Sequence, residues 1–145
     1  MWRWRDCPVA YEAEERFVKG FVARGRQERL LFELTHPKKR YRGLDRFCHQ
    51  AAELVDEDKI LMRGPDLSRQ PAFIRFVDEH RAICRVLSPD PALDGQELPF
   101  REAAARAFMG LDAAIVTAPG FALVVGEAEQ GGRTAFLLTA TGEKG

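Results

Sequence analysis

Cysteine is sparse in this chain: Cys7, Cys48 and Cys84 stand far apart, with no C-x-x-C among them. A disulfide-stapled scaffold is thereby excluded, and reduced thiols are expected. Long apolar runs are lacking too. The longest, residues 113–125, is interrupted by Pro119-Gly120 and falls short of the ~18 residues that a membrane span requires, so no transmembrane helix and no membrane partner are predicted. Serine occurs only as Ser68 and Ser88, neither in a G-x-S-x-G setting, which removes the usual serine nucleophile. Gly126, Gly131 and Gly132 lie in a turn region with no helix to follow, so neither a P-loop nor a dinucleotide fingerprint is present, and no cofactor is predicted. Net charge is absent as well, 22 basic side chains balancing 22 acidic ones. Asparagine is missing altogether, while arginine outnumbers lysine 17 to 5 and alanine reaches 19, the bias of a GC-rich, bacterial genome. Arginine abundance alone therefore implies no function.

What remains is an ordinary composition for one globular domain of 145 residues, with 46% apolar residues and enough bulk to bury a core without metal or disulfide. The opening Met1-Trp2-Arg3-Trp4-Arg5-Asp6 has an acid at position six and no apolar core, unlike a secretory or transit signal, so a cytoplasmic address is expected. Charge is unevenly spread: residues 1–75 carry 16 basic and 12 acidic groups, residues 76–145 carry 6 and 10.

Periodicity divides the chain into a helical part, residues 10–80, and a sheet-forming part, residues 81–141. Phe17, Val18, Phe21 and Val22 recur at helical spacing, and Gly25 interrupts before Leu30, Leu31 and Leu34 resume. Thr35-His36-Pro37 predicts the start of a long helix with the stripe Tyr41, Leu44, Phe47, Cys48, Ala51, Leu54 and Val55. That helix ends by Asp56, before a short extended piece over 59–63 that Gly64-Pro65 closes. A short helix over 68–80 and a strand over 82–87 follow. Pro99 opens a helix whose stripe runs from Phe100 to Leu111 with Gly110 near its end, and β-rich runs over 113–118, 121–127 and 134–140 complete a meander. The expectation is an α+β fold. N-terminal helices pack on one face of a small, mostly antiparallel C-terminal sheet of about four strands, in the order strand, helix, three strands. The near-continuous apolar run 121–127 predicts a central strand, buried on both faces or at a subunit interface. The uncharged last strand predicts an exposed edge, hence a homodimer.

The strongest local signal is Lys38-Lys39-Arg40-Tyr41-Arg42, continuing to Arg46, five basic groups with one acid, Asp45. On a helix Lys39, Arg42, Arg46 and His49 fall at +3, +4 and +3 spacing opposite the apolar stripe. Together with Lys38 they form a cationic ridge suited to phosphate or carboxylate groups. An acidic protein, a phosphate ligand or a nucleic acid would each serve. Arg42 and Arg46 are expected to face solvent and add little to stability. Trp2-Arg3-Trp4-Arg5 could stack bases but reads better as an arm tucked against the body.

Catalytic constellations are thin. Cys84 with His80 is the one imaginable thiol–base pair, and Cys84 sits in an apolar strand. His36, His49 and His80 are scattered, and Cys48 and His49, adjacent on a helix, point about 100° apart, so no metal site is predicted. The strand-helix-three-strand order of residues 82–140 is similar to one module of the vicinal-oxygen-chelate metalloenzymes. Their His and Glu ligands would correspond here to His80 and Glu127, too few for a centre. Asp90, Asp94 and Glu97 read as a solvated acidic loop. The function expected is a non-enzymatic binding or regulatory protein; the alternative is a small hydrolase or metal-dependent enzyme with its site at a dimer interface.

Overall fold

The first amphipathic run forms α1 (Glu12–Phe21), which has three glutamates in its first turn, where the helix dipole favours them, and Lys19 in its last. In the computed structural model, which describes residues 11–110, 112–127 and 134–140, Phe17, Val18 and Phe21 of this helix are buried. The chain then breaks. Val22 bridges Val55, and Ala23 N donates to Leu54 O at 2.8 Å. A 3-10 turn over Arg24–Arg26 leads into α2 (Gln27–Leu34), so the interrupted pattern yields two helices.

Helix α3 (Arg40–His49) starts later than Pro37 suggests, because residues 36–39 form a turn in which Lys39 N and Arg40 N both donate to His36 O at 2.9 Å. After α4 (Ala51–Leu54) comes β1 (Ile60–Arg63). The stripe Leu44, Phe47, Cys48, Ala51, Leu54 and Val55 is buried as its spacing requires, but Tyr41, at 64% exposure, lies off it. Helix α5 (Pro71–Glu79) has proline in its first turn, and α6 (Phe100–Met109) follows Pro99 and ends at Gly110.

The sheet has six strands rather than four, in the order β1-β6-β5-β4-β2-β3. The meander is β4 (Ala114–Ala118), β5 (Phe121–Val125) and β6 (Ala135–Thr139), all antiparallel, with Gly120 taking a φ of +93° in the β4–β5 turn as the second residue of a type II turn must. The 82–87 run becomes β2 (Ile83–Leu87). It is flanked by β4 and by β3 (Glu97–Pro99), a three-residue strand with no pattern of its own. At the other edge β1 pairs with β6, Ile60 opposite Leu138 and Arg63 opposite Phe136. The last strand is therefore interior, and the exposed edge from which dimerisation is expected does not exist.

Helices cover both faces of the sheet, not one. Ile115, Ala122, Val124, Phe136 and Leu138 pack against α1 to α4; Val116, Leu123, Val125 and Leu137 pack against α5 and α6. That is why β4 and β5 are buried at every position, with Thr117 the one polar residue among them, each buried leucine- or phenylalanine-sized side chain contributing about 1.5–3 kcal/mol. The second face is sealed by ring contacts of Phe73, Phe76, Phe100 and Phe121, the last two with centroids 4.7 Å apart. Among the described residues no helix is long and apolar enough to cross a membrane.

Candidate functional site: the basic helix α3 and its surroundings

Four arginines and lysines at the head of α3 separate into two groups. Lys38, Lys39 and Arg42 are exposed, and among the described residues none of them makes an ion pair. Arg40 turns inward. Its Nη1 donates to Glu14 Oε2 at 2.6 Å and to Leu34 O at 2.9 Å, while Nε and Nη2 grip Asp94 at 2.9 and 2.8 Å. Asp94 is thus no solvated loop residue: it ties the β2–β3 connection to α3 and also accepts from Ser88 N at 3.2 Å. Burial works to lower the Arg40 pKa, but Asp94 and Glu14 outweigh it and hold the guanidinium above its ordinary value.

The far end of the expected ridge also differs. Arg46 is half-buried in a 2.6 Å ion pair with Glu33 of α2, placed there by the close approach of the two helices at Gly43. His49 stands between two carboxylates, its Nε2 3.6 Å from Asp45 Oδ1 and 3.5 Å from Glu127 Oε1. Lys38, Lys39 and Arg42 therefore remain as a cationic surface, while Arg46 is paired with an acid and His49 faces two. The three exposed cations sit at the positive end of α3, whose first turn has no acidic residue, an arrangement that a helix by itself disfavours. Trp2, Arg3, Trp4 and Arg5 lie outside the described residues, as does Cys7.

A cleft of about 1300 Å³ opens at the end of the sheet beside α5, with Arg63, Arg75, Arg81 and His80 around an apolar floor that includes Phe76 and Phe121. His80 is the sequence candidate that reaches it. Its ring stacks on Phe76 at 3.7 Å, and its Nδ1 lies 2.9 Å from Phe76 O, an acceptor, so Nδ1 carries a proton. Neither Cys84 nor Glu127 lines this cleft. Cys84 is buried in the sheet, its thiol directed to Ala82 O at 3.7 Å, and burial pushes its pKa up to about 11. At neutral pH only about one such thiol in 10⁴ is ionised, which leaves it inert as a nucleophile. Glu127 is paired with His49 instead of His80.

Sequence reasoning missed the acids around Arg40 and His49. The i, i+4 spacing of Asp45 and His49 was a readable signal. Glu14, Asp94 and Glu127 were not, because only the packing of α1, the β2–β3 loop and the end of β5 brings them to α3. No family model, no curated protein and no solved structure matches the chain.

Proposed function

We propose that this chain is a non-enzymatic binding protein that holds an anionic partner on Lys38, Lys39 and Arg42. One observation carries the reading: three cations stand exposed at a helix N-terminus and have no ion-pair partner among the described residues, while neighbouring Arg40 and Arg46 are engaged in internal ion pairs. An anion laid across that turn would meet side-chain charge and helix dipole of the same sign. With zero net charge on the chain the attraction is local, which suits a phosphate group or a short acidic segment better than a long polyanion. The alternative, a hydrolase or metal-dependent enzyme at a dimer interface, has less support, since the Cys84 thiol is held protonated and β6 is not an edge.

The test is a titration with inorganic phosphate, an acidic peptide and heparin at two salt concentrations, on the parent chain and on Lys39→Glu/Arg42→Glu. The double variant is expected to lose binding while its stability changes by no more than roughly 0.5 kcal/mol per site, the usual range for exposed positions. Arg46→Glu is the contrast: it sets like charges together against Glu33 and should destabilise. A parent chain that binds none of these anions, or a double variant that binds as the parent does, overturns the proposal.

A further inference from the structure

We propose that Asp45, His49 and Glu127 form a binding site for a divalent transition-metal cation of the zinc type, joining the C-terminal end of α3 to the end of β5. The inference is independent of the anion-binding reading, which rests on the opposite end of the helix. Asp45 and His49 are one helical turn apart and so share a face. Glu127 arrives from the strand layer, so the three groups come from two separately packed elements.

Distances support an ion rather than a set of hydrogen bonds. His49 Nε2 lies 3.6 and 3.5 Å from the two carboxylates, too far for good hydrogen bonds. Ligands bound at about 2.0–2.2 Å in a tetrahedron stand ~3.3–3.6 Å from one another, which matches both separations. All three ligand atoms lie within 4.8 Å of one another, and these side chains are exposed enough for a rotamer shift to close the remaining gap. Charge points the same way. Two carboxylates face one imidazole, and among the described residues neither of them pairs with a lysine or arginine. An imidazole nitrogen with two carboxylate oxygens suits Zn²⁺, Co²⁺ or Mn²⁺ better than Ca²⁺ or Mg²⁺, and three protein ligands leave a position for water.

The experiment uses the tag-free full chain, titrated with Co²⁺ and read by visible absorption, followed by displacement with Zn²⁺ measured calorimetrically. One equivalent should bind, Zn²⁺ should displace Co²⁺, and binding should weaken on acidification as protons compete for the imidazole. His49→Ala, Asp45→Asn and Glu127→Gln should each weaken binding at least about tenfold, since even the loss of an outer partner of a metal ligand costs that much. Asp56→Asn/Glu57→Gln, on another acidic stretch, should leave binding unchanged. Absence of Co²⁺ and Zn²⁺ binding at high micromolar concentration overturns the proposal. So does equal weakening by the control pair, or a Co²⁺–thiolate charge-transfer band, which would place the ion on a cysteine.

Discussion

Replacing Arg40 by methionine should be among the most damaging single changes in this protein. The guanidinium makes four hydrogen bonds, joining α1, the last carbonyl of α2 and the β2–β3 loop to the start of α3. The Glu14 side chain is only 3% exposed, so without Arg40 its carboxylate is left in the interior with no ion-pair partner among the described residues. Breaking a buried pair from one side costs about 3–5 kcal/mol, a large share of the 5–15 kcal/mol that holds a domain together. For a chain of this length that corresponds to a fall in Tm of about 10–20 °C. Because the Arg40 pKa is raised, its contribution is present at every pH below the ordinary arginine value and is lost only above any practical range, so alkaline titration will not reveal it. The assay is urea unfolding at neutral pH of Arg40→Met, Arg40→Lys and Arg40→Met/Glu14→Gln. Lysine cannot grip Asp94 with two nitrogens and should fall between parent and methionine. Neutralising Glu14 should recover part of the Arg40→Met loss. Should the stability of Arg40→Met in urea lie within about 0.5 kcal/mol of the parent's, or the Glu14 change recover nothing, a buried, uncompensated carboxylate is not what the arginine prevents.

Gly43→Ala should destabilise by roughly 1–3 kcal/mol, although alanine is the better helix former, because the added Cβ would lie 2.7 Å from Glu33 Cβ and force α2 and α3 apart; a thermal melt showing stabilisation would refute this. In a Cys7→Ser background, Cys48 and Cys84 should resist Ellman's reagent at pH 8 until the protein is unfolded, since burial, aided at Cys48 by Asp45 and Glu127, raises the thiols to about 12 and about 11. Raised thiol pKa values stabilise the fold below the ordinary thiol value and lose that contribution as pH climbs toward the folded ones. Stability should therefore drop above about pH 9 by ~1.4 kcal/mol per pH unit for each thiol still protonated in the fold, and Cys48→Ala with Cys84→Ala should flatten that slope in pH-dependent urea melts.

Periodicity made the helices and the meander readable, because α1, α3 and α6 each bury one stripe and β4 to β6 alternate between two covered faces. It located the extended piece over 59–63 that becomes β1 but not its place beside β6, and it did not show β3 at all: four and three residues carry no period, and β1's partner is fixed by distant chain. The second helical layer was implicit in the fully apolar β5, which a sheet wet on one face would not need. At the site, spacing along α3 correctly put Lys39 and Arg42 outside. It also put Arg46 and His49 there, since helical spacing says which side a residue takes and nothing about the acids that Glu33 and Glu127 bring to meet it.

The pairing of β1 with β6 has a consequence for synthesis. β1 must wait for a partner that is synthesised 78 residues later, because Ile60 finds its place only opposite Leu138. Until β4 to β6 are made α1 to α4 have no sheet to cover, and the apolar stripe from Leu44 to Val55 is open to other nascent chains. Such long-range closure slows folding and lengthens exposure to aggregation, so trigger-factor-like holding during translation should raise the yield of this protein more than that of a helical bundle of equal size.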